Sequence, residues 1–168
     1  MLTALILGAF LTIDPAKSHA EFSVAHVFVE QVTGTVPIVS GTIDIPAGAV
    51  VPAHVSAVLD PSGFKTDEPD RDAALKGPDW FDVTHFPTWT FESTTILAAP
   101  GGFLMDGKLT MHGVSQVEHL MVRIGGDAAH PTYHATCNID RHAFGMKRVP
   151  LDPVIGNTVD VTLDIVPE

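Results

Sequence analysis

The chain is short of cysteine, of basic residues and of long apolar runs, and each shortage closes off a class of function. Cys137 is the single cysteine among 168 residues, so no intrachain disulfide can form and a thiol-based zinc site lacks its ligands. Cys137 reads instead as a small buried hydrophobe. Nine Lys and Arg stand against twenty Asp and Glu, a formal net charge of −11. Phosphate contacts supply much of the affinity of nucleic-acid-binding proteins, so DNA and RNA are set aside as partners. The same deficit leaves no basic patch for docking on an anionic membrane face. Hydrophobic residues make up 45% of the chain and charged ones 17%, the balance of a folded domain with a substantial core. The apolar run from Met1 to Ile13 is too short for a bilayer span, which takes about 20 residues. As a signal peptide it lacks a preceding Lys or Arg, and Asp14 and Lys17 separate it from the small-x-small sequence Ser18-His19-Ala20. Residues 1–9 are read as an apolar lead-in, a targeting remnant being the alternative, and residues 10–168 as one domain whose first strand begins at Phe10. Cellular location stays open on these grounds.

What the sequence does have is alternation. Ala20, Phe22, Val24, His26 and Phe28 fall on one parity, with Glu21, Ser23, Ala25 and Val27 on the other, as in a strand with one face buried. Phe103, Met105, Leu109 and Met111 repeat the pattern. So do Tyr133, Ala135, Cys137 and Ile139, and then Val159, Val161, Leu163 and Ile165. Trp89 and Phe91 alternate with Thr90 and Glu92, and weaker strands fit Val32 to Pro46, Val55 to Leu59 and Glu118 to Ile124. Thirteen prolines and fourteen glycines are spread between these runs, the punctuation of turns. One stretch departs from period two: Pro69 to Lys76, with Asp67 as candidate N-cap and Gly77-Pro78 as the stop, predicts a short helix. About eight antiparallel strands and one helix near residues 69–76 define an all-β domain. It can close as a barrel or stack as two sheets, and periodicity does not choose between them.

Catalytic chemistry finds little support. There is no Gly-x-Ser-x-Gly elbow, no His-Glu-x-x-His metal motif and no phosphate-binding glycine loop before a helix. Nine histidines are scattered, with no metal-ligand spacing among them. His26 stands apart because it shares the apolar parity of Phe22 and Val24. It is read as a core histidine, a hydrogen bond to a ligand head group being the second reading. No cofactor is called for.

The order of motifs is informative. Ile13-Asp14-Pro15-Ala16-Lys17-Ser18 leads into Phe22-Ser23-Val24-Ala25-His26. Asp70-Arg71-Asp72 is followed by Asp79-Trp80-Phe81-Asp82-Val83, Phe86-Pro87 and Thr90-Phe91-Glu92-Ser93. Then come Gly107-Lys108-Leu109-Thr110-Met111-His112-Gly113-Val114, Asp140-Arg141, Phe144-Gly145-Met146 and Ile155-Gly156-Asn157. From about Thr12 to Glu168 this series resembles the YceI-like, polyisoprenoid-binding family. The resemblance implies an eight-stranded lipocalin-like barrel that holds a long isoprenoid or acyl lipid, commonly in the periplasm, with no catalytic residues. The chain departs from the family's usual pattern at Lys17 and Ala74, where His is common, and at Ser115-Gln116-Val117-Glu118, where Thr-Lys-Pro-Val is usual.

On this reading the expected pocket wall is Phe22, Val24, His26, Phe28, Phe81, Trp89, Phe91, Met105, Leu109 and Phe144. Arg71, Asp72 and Arg141 are candidates for the mouth or for a head-group contact. Arg71 and Asp72 are expected to form a structural pair bracing the helix at the barrel mouth. The expected function is binding, with transport or storage, of a polyisoprenoid, quinone or fatty-amide type of lipid. Two alternatives stand beside it: a packed interaction module without ligand, and a small enzyme using His26 with Asp72 or Arg141. A homodimer is compatible with the sequence.

Overall fold

The computed structural model describes residues 8–146 and 152–168. The alternating runs form ten strands in a single antiparallel sheet: β1 (Ala9–Thr12), β2 (His19–His26), β3 (Val29–Val36), β4 (Ile38–Ile45), β5 (His54–Leu59), β6 (Trp89–Ala99), β7 (Gly102–Met111), β8 (Val114–Gly126), β9 (Pro131–Asp140) and β10 (Ile155–Ile165). Their order across the sheet is β1-β4-β5-β6-β7-β8-β9-β10-β2-β3.

The count exceeds the expected eight for two local reasons. The stretch Val32 to Pro46 divides at Pro37, which has no N–H to give a ladder, and β3 and β4 pair on opposite sides of that corner, with β2 and with β5 and β1. The run from Phe10 is also a strand of its own, β1, beside β4. Most of the lead-in at residues 1–9 lies outside the described residues.

The corner at Pro37 makes the sheet curl on itself as a barrel, since the strand at one end of the order runs directly into one near the other end. Two further seams hold the curl. Beyond β1 the chain crosses to the end of β10: Asp14 N–H donates to the Val166 carbonyl (2.9 Å) and Glu168 N–H to that of Thr12 (2.8 Å). At the other side Thr35 and Lys65 exchange backbone hydrogen bonds of 2.8 and 3.0 Å. Closure of this kind leaves few unpaired edges.

Turn chemistry fits the hairpins. His112 and Gly113 both have positive φ (54° and 72°), the two-residue turn whose twist suits β7 and β8. Pro100-Gly101, with Gly101 at φ 75°, turns β6 into β7. The helix α1 spans Pro69–Lys76 as expected, but its cap is Glu68, whose carboxylate accepts from the Asp70 and Arg71 N–H groups. Asp67 instead takes a positive φ of 61° one residue earlier, so it cannot aim at the first turn.

Outward-facing positions carry polar cross-strand pairs: His119 with Asp106 (2.6 Å), His134 with Asp164 (2.7 Å), and Asn138 with Asp160. The inward parity carries the apolar residues, and their mutual burial drives the fold.

Candidate ligand cavity

The inward faces of the strands do not meet across the barrel. They enclose a cavity of about 770 Å³, within the range of roughly 300–1,000 Å³ usual for small-molecule sites. Phe22, Val24 and His26 line it from β2, as do Trp89 and Phe91 from β6 and Met105 and Leu109 from β7. Tyr133, Cys137 and Ile139 face it from β9, and Val159, Val161 and Leu163 from β10. Phe81, on the loop after α1, completes an aromatic wall. Phe22 stacks on Phe64 (centroids 4.5 Å apart), Phe64 meets Phe81 edge-on (4.8 Å), and Phe81 meets Trp89 edge-on (4.8 Å). Such contacts fix ring orientation beyond simple burial. Gly107 makes room for another ring. A Cβ there would sit 2.0 Å from the Phe91 ring, so only glycine lets Phe91 lie against β7.

Two of the expected wall residues lie elsewhere. Phe28 is 78% exposed. The register of β2 on β3 shifts between Ala25 and His26, and Phe28 falls in the turn just beyond, where strand parity no longer applies. Phe144 is fully buried at 0% exposure in a short 3-10 turn, Arg141–Phe144, and packs as core without reaching the cavity wall.

The charged candidates also sort out. Arg71 lines the cavity from α1, but it does not pair with Asp72. Both reach back to Thr66: Arg71 Nε donates to its hydroxyl (2.7 Å) and Nη2 to its carbonyl (2.9 Å), while Asp72 accepts from its hydroxyl (2.6 Å) and N–H (2.8 Å). The Thr66 hydroxyl bond, chiefly, holds the Asp72 carboxyl below its ordinary range. Arg141 is 4% exposed. Its guanidinium donates to the carbonyls of Met146 (2.6 Å), Gly156 (2.8 Å) and Ile155 (3.0 Å) and meets Asp152 at 2.7 Å. His26 Nδ1 accepts from the Phe28 N–H (3.2 Å). Neither pairing of His26, with Asp72 or with Arg141, is therefore formed, each of the three being held by other partners.

Several cavity residues fell outside the expected wall, and among them Glu118 carries a buried charge. Glu118 is 9% exposed and faces the cavity from β8 beside Leu120 and Val122. Desolvation pushes its carboxyl above the ordinary value. The signal was present in the sequence, because Glu118, Leu120 and Val122 share one parity. Nearby, burial and, secondarily, the Glu118 charge push the Cys137 thiol up to about 12. Two more wall residues, Trp89 and Tyr133, bury an indole N–H and a hydroxyl that have no hydrogen-bond partner among the described residues.

A curled antiparallel barrel around an apolar, ligand-sized cavity is the architecture of lipocalin-like proteins. The chain matches the model of the YceI-like domain family over residues 11–166 and belongs to that family. It is 27% identical over 127 residues to a UPF0312 protein of Yersinia pestis (strain Pestoides F), a match covering 74% of this chain and 66% of that relative's length. Its fold superposes on that of Burkholderia cenocepacia BcnA with a TM-score of 0.75 at 24% identity, over 92% of this chain and 98% of that one. It superposes with a TM-score of 0.72 at 17% identity on a polyisoprenoid binding domain from Saccharophagus degradans, over 95% of this chain and 98% of that domain. At these identities the structural likenesses speak for the fold.

Proposed function

We propose that this protein binds a long-chain lipid of polyisoprenoid, quinone or fatty-amide type inside the barrel and serves to transport or store it. The observation that carries this reading is the cavity of about 770 Å³ walled almost entirely by inward-facing apolar side chains. An unfilled space of that size forfeits dispersion contacts along its whole lining, and an apolar chain restores them. Each buried CH₂ contributes about 0.8 kcal/mol, so a long tail binds well with few polar contacts. The residues proposed to touch it are Phe22, Val24 and His26 on β2, Phe81, Trp89 and Phe91 on the aromatic side, and Met105 and Leu109 on β7. Arg71, at the helix side, is the proposed contact for a polar head group at the mouth. That His26, Asp72 and Arg141 are each bonded elsewhere supports carriage over catalysis, and the open interior supports it over a packed interaction module.

The test is a titration of delipidated protein with a fluorescent long-chain probe, displaced by saturated chains of increasing length. Affinity should rise about fourfold per added CH₂ until the cavity is filled, then level off. A flat response to chain length would overturn the reading.

A further inference from the structure

We propose that Glu118 is the polar anchor of the cavity, selecting a long-chain ligand that carries an O–H or N–H donor and rejecting chains that end in a carboxylate or phosphate. The inference rests on the lipid-carrier reading and specifies its ligand. The inward side of β8 is otherwise apolar at Leu120 and Val122, and Glu118 lies opposite Gly107 of β7, the residue over which the Phe91 ring is laid. Glu118 is 9% exposed, opens onto the cavity, and makes no hydrogen bond or ion pair with any described residue.

Among the described residues no cation is bonded to Glu118. His119 attracts its charge from the outer face of the same strand, Asp140 at the end of β9 repels it more weakly, and Cys137 on β9 is neutral. Arg141 shares the cavity, but its guanidinium is taken up by three carbonyls and Asp152. A carboxylate buried without a partner among the described residues costs stability, and an apolar side chain at this position would serve the fold better. A donor on the ligand supplies what the protein withholds, either as a hydroxyl hydrogen bond or as an ammonium ion pair. A carboxylate or phosphate would instead meet like charge in an apolar surrounding.

The experiment compares four sixteen-carbon probes, the alcohol, the amine, the methyl ester of the acid and the acid itself, at a single mildly alkaline pH. They are titrated against the delipidated protein and its E118Q and E118V variants. The wild type should bind the alcohol and amine at least about tenfold tighter than the ester, with the acid weakest. In E118V the alcohol and ester should become equal and the acid should gain, while E118Q should fall between. Amine preference well above that for the alcohol would assign an ion pair, and equality a hydrogen bond without an ion pair; both uphold the anchor. The same alcohol-to-ester ratio in wild type and E118V would overturn it and leave the carrier reading standing. Failure of every probe to bind either protein would overturn both.

Discussion

Phe144 and Phe91 are both partly or wholly buried aromatics, yet the structure gives them different surroundings, and truncating each should reveal the difference. Phe144 is 0% exposed and enclosed on all sides, so Phe144→Ala removes a ring from close-packed surroundings and leaves a void. Such changes cost about 3–5 kcal/mol, transfer and cavity terms together. Phe91 lies against β7 over Gly107 but turns another face to the cavity, where no contacts are lost. The cavity term then largely vanishes, and what remains is part of the roughly 1.5–3 kcal/mol transfer term for a phenylalanine. Phe91→Ala should therefore cost about 1–2 kcal/mol. Urea denaturation of delipidated protein reads both, with the m-value checked for constancy. Equal losses at the two positions would mean that Phe91 is packed as tightly as Phe144, and the open interior would be refuted.

Further outcomes follow from the charged groups. Glu118→Val should stabilise the delipidated protein by about 1–3 kcal/mol, the usual cost of an unsatisfied buried polar group; a loss of stability would show that Glu118 has a partner. Because burial raises the Glu118 carboxyl, the wild type loses stability as pH climbs from the ordinary carboxylate range through that raised value. The advantage of E118Q in urea midpoint should therefore be small in acid and widen toward neutral pH. The Asp72 carboxyl is shifted the other way, so its stabilisation is present above the ordinary carboxylate range and fades as pH falls through the lowered value. Asp72→Asn should lower the melting temperature at neutral pH and converge on wild type in strong acid. Arg141→Met should leave four carbonyls without their donor and cost about 3–5 kcal/mol, with faster hydrogen exchange near Ile155 and Gly156. The Cys137 thiol, pushed from 9.0 up to about 12, should react with thiol reagents on the order of a hundred- to a thousandfold more slowly in the folded protein than in urea.

Much of this architecture was legible because period two survives wherever a strand is straight. β7, β9 and β10 keep the expected alternation, with their apolar parity turned inward, and α1 occupies its expected span. Parity failed where the backbone departs from a regular ladder. The shift at Ala25/His26 ended the run before Phe28, and Pro37 divided one expected strand into two. Phe144 lies in a turn whose packing depends on distant chain, which no local pattern encodes. Arg71 and Asp72, expected as a pair bracing the helix, each reach Thr66 and not one another, because neighbouring helical residues point apart. Glu118 was visible to the same parity argument and escaped it because a charged residue is ordinarily assigned to the solvent face. The break with the family's usual Val at that position was the clearest sequence sign of it.

The central claim is that the barrel holds a long apolar ligand, and native mass spectrometry of the protein as purified, followed by organic extraction and lipid identification, tests it most directly. The account predicts an adduct at one per chain that extracts as a long-chain lipid with a hydroxyl or amine function. A protein that flies bare and takes up no added polyprenol or long-chain alcohol would contradict it.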